Sequence, residues 1–174
     1  MKIFFSYLFI ALFISFNAIG QIKISEANVQ FVLPDVFSKT LPKKDLGNGR
    51  LCYSYKRNPI VNQDGVKIIP NLAVITEPVP KNTDLVDYSA QRRIDVPFKV
   101  IDVFSNDAKN SNLTCENSIG YKGSYESHSR NHIVYIIHLI HNNCGVQIIM
   151  DATEDVIGEC ESEFIEVMKS LKSY

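Results

Sequence analysis

Apolar positions recur along this chain at two spacings, and the change from one to the other marks where strands give way to helices. VQFVL, Val29–Leu33, alternates until Pro34 halts it, which predicts a short first strand. RLCYSYKR alternates more cleanly, with Leu51, Tyr53 and Tyr55 on one face and Arg50, Cys52, Ser54 and Lys56 on the other, wetter one. Between them, DVFSKTLPKKDLGNG is turn-rich and reads as loops over a sheet edge, and NPIVNQDG reads as a further loop. VKIIPNLAVIT continues as an extended segment interrupted by Pro70.

NTDLVDYSAQRR has the marks of a short helix: Asn82 or Thr83 to cap it, Asp84 and Asp87 in the first turn, Arg92 and Arg93 in the last. FKVIDVF, residues 98–104, predicts another strand, followed by the polar loop SNDAKNSN. SIGYKGSYE, HIVYIIHLIH and GVQIIMDAT then predict an antiparallel three-strand meander. In GECESEFIEVMKSLK, Cys160, Phe164, Val167, Met168 and Leu171 fall on one helical stripe, while Glu159, Glu161 and Glu163 crowd the start and Lys169 and Lys172 the end. A helix with one apolar side must lie on something, and the sheet is the available surface.

Ahead of all this, residues 1–20 carry Lys2, a nearly unbroken apolar run over residues 3–16, and small residues Ala18 and Gly20. That is the pattern of a secretory signal peptide, with cleavage expected between Gly20 and Gln21. The apolar run is shorter than the roughly twenty residues of a membrane span, so no stable membrane insertion is expected once the signal is removed. Residues 21–174 contain no repeat and no Pro/Gly/Ser linker, and read as a single domain large enough to bury a core.

Charge narrows the function classes. The whole chain has formal net charge −1, and Lys2 is the one charged residue among the first twenty, so residues 21–174 stand at −2. The basic excess that drives nucleic-acid binding is missing, and no nucleic-acid partner is expected.

Four histidines, His128, His132, His138 and His141, lie close together ahead of Cys144 and raise the question of a metal centre. A strand rises about 3.3 Å per residue, so His132 and His138 would stand roughly 20 Å apart, far beyond a shared ion. His138 and His141 would point to opposite faces of a strand. His128 and His132 bracket SRN at a hairpin tip, which makes them the weak candidates for a loosely held metal; otherwise they are solvated turn residues. His138 reads as a satisfied sheet residue.

The four cysteines are an even set in an exported chain, which makes disulfides plausible. A hairpin tip near residue 129 or 130 would set Cys115 opposite Cys144. A bridge there would contribute about 3 to 4 kcal/mol; the alternative is two free, buried or half-buried thiols. Cys160, on the helical stripe, reads first as a small apolar residue, and a bridge from it to Cys52 would need the strand's other face.

No nucleophile elbow, phosphate loop, paired-histidine zinc helix or calcium loop is present in the sequence, and no cofactor is expected. DATED, residues 151–155, gathers three acids but lacks the glycine and spacing of a cation loop, and reads as a polar strand exit.

In element order, and above all in GVQIIMDATEDVIGECESEFIEVMKSLK, the chain resembles the PsbP/DcrB-like superfamily over most of residues 29–172. The resemblance implies an α+β fold, an antiparallel β-sheet flanked by helices on both sides in an α/β/α sandwich, with the C-terminal helix packed on the sheet. It also implies a module that is mostly not an enzyme, acting as an accessory or partner-binding protein outside the cytoplasm; no functional residue carries over. The expectation is an exported, periplasmic or secreted, binding or accessory module whose partner is another envelope or secreted protein, an immunity protein being one special case. The alternative is a small-ligand or metal carrier.

Overall fold

The structure, a computed structural model, describes residues 20–40, 42–106 and 112–174. The expected signal peptide therefore lies outside the described residues but for Gly20, as does most of the polar loop after residue 104.

Eight strands form one antiparallel sheet in the order β3 (Phe37–Lys39), β5 (Arg50–Arg57), β8 (Asn71–Pro78), β12 (Cys144–Thr153), β11 (Arg130–His141), β10 (Ser118–Ser127) and β9 (Lys99–Ser105), with β4 (Lys44–Gly47) also beside β5. A second sheet orders β1 (Gly20–Ile24), β2 (Val29–Leu33) and β13 (Lys172–Ser173); β6 (Ile60–Val61) and β7 (Lys67–Ile68) make a small hairpin. Two helices, α1 (Leu85–Asp95) and α2 (Ile157–Ser170), complete the chain.

The helices lie on opposite faces of the large sheet, and β11 shows why. Tyr135 meets Phe164 of α2 edge-on, whereas His138 is bonded to Ser89 of α1. An odd separation along a strand puts two side chains on opposite faces, so α2 covers one side and α1 the other. A strand sandwiched this way has no wet face, which is why HIVYIIHLIH reads as a continuous apolar run instead of an alternation.

The expected stripe on α2 is the buried one: Cys160, Phe164, Val167, Met168 and Leu171 are each no more than 1% exposed. They press on Val146, Ile148, Met150 and Ala152 of β12, also buried, and on the second sheet through Phe31. The glutamates of α2 do more than match the helix dipole. Glu163 takes a two-pronged bond from Arg57 at 2.7 and 2.8 Å, and Glu161 accepts from Lys122 at 2.6 Å and from Tyr135. Those hydrogen bonds from Lys122 and Tyr135 outweigh burial and hold the Glu161 carboxyl below its ordinary range.

Three local expectations change. The segment expected as edge loops contains the short strands β3 and β4, which share the flank of β5 because neither is long enough to cover it. NPIVNQDG, expected as a loop, contributes β6, which pairs with β7. The cap of α1 is Asp84, whose carboxylate accepts from the amides of Val86 and Asp87, rather than Asn82 or Thr83. Asn82 sits at φ 67° in the preceding turn.

Glycine is required where α1 meets the sheet. A Cβ on Gly145 would stand 2.6 Å from the Tyr88 ring, so only a bare backbone lets that ring come this close to β12. Gly145→Ala should force Tyr88 away and cost about 1–3 kcal/mol in urea unfolding; an unchanged midpoint would show that the ring moves freely.

Candidate functional site

On the face that bears α1, the helix closes only one end. Tyr88 lies over Gly145, and Ser89 Oγ bonds both Tyr121 Oη at 2.7 Å and His138 Nδ1 at 2.8 Å. His138 is 1% exposed, so it is the satisfied sheet residue that its position suggested. Burial, reinforced by the nearby Arg92 and Arg93, pushes its imidazole down to about 4.

The other end of the same face is open. Lys56, Asn71 and Asp151 are cross-strand neighbours on β5, β8 and β12, so their side chains project on one side. His132 and Tyr125 are paired across β11 and β10. Asp151 receives His132 Nδ1 at 3.1 Å on both oxygens and the Tyr125 hydroxyl at 2.9 Å, and the Tyr125 ring stacks on the imidazole with centroids 4.9 Å apart. Asn71 completes the line, its Nδ2 standing 3.4 Å from Asp151 Oδ2. The His132 and Asp151 side chains keep 18% and 12% of their surface. A pocket of about 450 Å³, lined by Thr40, Ser54, Lys56, Ile69, Asn71 and Ala73 among others, adjoins this line at Lys56 and Asn71.

The hairpin register corrects two expectations. Ser127 pairs with Arg130, so the tip is His128–Ser129, one residue earlier than expected, and both residues take positive φ, 50° and 58°. His128 is therefore inside the turn, bonded to Ser127 Oγ, while His132 faces Tyr125 instead of His128. Extending the same register sets Cys115 opposite residue 142, and Cys144 already belongs to the next strand, where it pairs with Pro78 of β8. The expected Cys115–Cys144 bridge is accordingly not formed: all four cysteines are free thiols, Cys115, Cys144 and Cys160 buried and Cys52 partly so. Burial pushes the thiols of Cys115, Cys144 and Cys160 up, to about 12 for Cys160, which makes them inert at neutral pH.

The acids of residues 151–155 diverge: Asp151 turns to His132, Glu154 to Asn131 and Asp155 to Asn62. Among the described residues, no group of three or more His, Cys, Asp or Glu side chains is placed to hold a metal ion. The Asp151–His132 pair can orient an imidazole and share a proton, yet among the described residues no serine or cysteine bonds to it, so the nucleophile of a triad is not supplied. What the cluster offers is polar recognition on a rigid base. His132 was visible in the sequence, but Tyr125, Asp151 and Asn71 were not singled out as its partners. The signal that leads to them is the meander itself, once its register is known.

The turn carries its own prediction. A non-glycine residue in the left-handed region costs about 1 kcal/mol, so Ser129→Gly should stabilise the protein by about that amount in thermal unfolding. A loss of stability would mean that the serine side chain holds the tip.

No protein-family model matches the sequence, nor does any curated protein sequence. Solved structures do. Over 89% of this chain and 92% of its own, the Synechocystis PsbP (CyanoP) superposes with TM-score 0.56 at 13% identity. The Saccharomyces cerevisiae Ran-binding protein Mog1p matches 87% of this chain and 93% of its own at TM-score 0.53 and 9% identity. LpqN of Mycobacterium tuberculosis, involved in cell envelope biogenesis, covers 88% of each chain at TM-score 0.50 and 11% identity. An antiparallel sheet with one helix on each face, matched over most of its length by these structures, gives this chain the PsbP/Mog1/DcrB-like α+β fold.

Proposed function

We propose that the chain is an exported, non-enzymatic binding module whose open half-face receives another envelope or secreted protein. The observation that carries this is the line Lys56, Asn71, Asp151, His132 and Tyr125: donors and acceptors held at the rim of a sheet that is otherwise covered on both sides. Interfaces of this kind combine a fixed polar arrangement with partly exposed aromatic surface. Export is supported by the pattern of residues 1–20, and protein binding by the fold shared with Mog1p, a Ran-binding protein. That likeness also favours a module without catalysis of its own.

A second reading, a small-ligand carrier, is favoured by the adjoining pocket, whose roughly 450 Å³ falls in the range of small-molecule sites.

Both are tested by a photo-crosslinking residue placed at Lys56 in cells that make the full chain, with one at the exposed Glu166 of α2 as control. A protein adduct at position 56 and none at 166 supports the binding module. Adducts of equal yield at both positions, or none, would overturn the choice of this face. Native mass spectrometry of the same material reads a bound small molecule directly and decides the second reading.

A further inference from the structure

The pairing of β1 with β2 leaves one reactive group pointing away from the protein. Val32 donates its amide to Ser170 Oγ of α2 at 2.9 Å. Successive amides of a strand point to alternate edges, so Phe31 and Leu33 turn theirs toward β1 while Val32 does not. Gln21 is the register partner of Val32, which makes this a pair without ladder bonds. The backbone nitrogen of Gln21 therefore points off the outer edge of β1, and β1 is the end strand of its sheet. The Gln21 side chain is exposed as well.

We propose that Gln21, once it is the first residue, is a modification site: its α-amino nitrogen closes on its own side-chain amide to give a pyroglutamyl terminus. This rests on the cleavage between Gly20 and Gln21 put forward above. The unprotonated amine attacks Cδ and forms the N–Cδ bond of a five-membered lactam. The bond from Cδ to the side-chain nitrogen breaks, and that nitrogen leaves as ammonia with the proton given up by the amine. Nothing is oxidised or reduced, and no co-reactant is consumed. An α-amino group titrates near pH 8, so a usable fraction is unprotonated at neutral pH. Neither a ladder bond nor burial restrains the nitrogen or the side chain. A register shifted by one residue would have bonded that nitrogen to β2. The product lacks the terminal positive charge and is closed to aminopeptidases, while β1 stays on β2 through Ile22 and Ile24.

The test is the intact mass of the full-length gene product recovered from the cell envelope, with amine labelling and sequencing of its N-terminal peptide. The expected result is residues 21–174 less about 17 Da, the mass of ammonia, with the loss confined to the N-terminal peptide and no labelled α-amine. Locating the loss matters because the Asn48–Gly49 turn can also shed ammonia. Gln21→Asn, whose ring would be a strained four-membered one, should keep its full terminal mass and label. A chain starting at Gln21 that keeps a labelled amine after prolonged incubation overturns the cyclisation and leaves export standing. A chain that retains residues 1–20, or begins elsewhere, overturns both.

Discussion

Phe164→Ala will cost about 3–5 kcal/mol, the usual range for deleting a fully buried phenylalanine. The ring is 0% exposed and sits between Phe37 and Tyr135, with centroids 6.5 and 5.9 Å away. Those two rings belong to β3 and β11, at the edge and the centre of the sheet, so the cavity left behind is walled by strands that cannot close on it independently. Against a total stability on the order of 5–15 kcal/mol, this is about a fifth or more of what holds the fold. Urea unfolding of the purified variant reads it as a drop in midpoint at unchanged slope. A loss under about 1 kcal/mol would mean that α2 is not the keystone of the core, and that the second sheet carries the load alone.

Acid will expose a second weakness, this time under α1. His138 titrates at about 4 in the folded protein against an ordinary 6.5, because burial and then the charges of Arg92 and Arg93 disfavour the imidazolium. Between those two pH values the unfolded chain holds a proton on His138 that the folded chain does not, so stability falls as pH drops through this window and is level above it. The gap corresponds to about 3 kcal/mol. In the imidazolium both ring nitrogens are donors, so Ser89 Oγ must then accept from Nδ1 and turn its own proton to Tyr121. His138→Gln, which cannot titrate, should flatten the slope between pH 6.5 and 4. Unfolding midpoints of both proteins across that range decide it, and parallel profiles would assign the acid sensitivity elsewhere. Glu26 cannot mimic the effect. Burial opposes its charge, but hydrogen bonds from Lys43 and Tyr53 prevail and hold it at about 2, so its contribution is lost only as pH falls from 4.5 toward 2.

How much of this was legible depended on whether the signal was local. The strands Val29–Leu33 and Arg50–Arg57, the face of Tyr53 and Tyr55 and the stripe of α2 follow from spacing within one segment, and each stands where its pattern put it. The Cys115–Cys144 expectation failed at a hairpin tip. Moving the tip to His128–Ser129 changes every cross-strand partner, and a small slip in a ladder is enough to bring different side chains together. The same slip hid Tyr125 behind the search for a second histidine. Asp151 and His132 are 19 residues apart, so no local pattern could join them.

The amino-acid sequence by itself determined the longer elements, the antiparallel order of the meander, and which side of α2 is apolar, because helix and strand periodicities are properties of a short window and hydrophobic burial acts on each window in the same way. Tertiary structure alone decided which half of the sheet α1 would cover, and hence that His138 is sealed and hard to protonate while His132 stays at the open rim with Asp151. Both lie on the same strand and the same face, and their residue type is the same. What separates them is a helix that arrives from some fifty residues earlier in the chain and a bare Gly145 that lets it settle at one end.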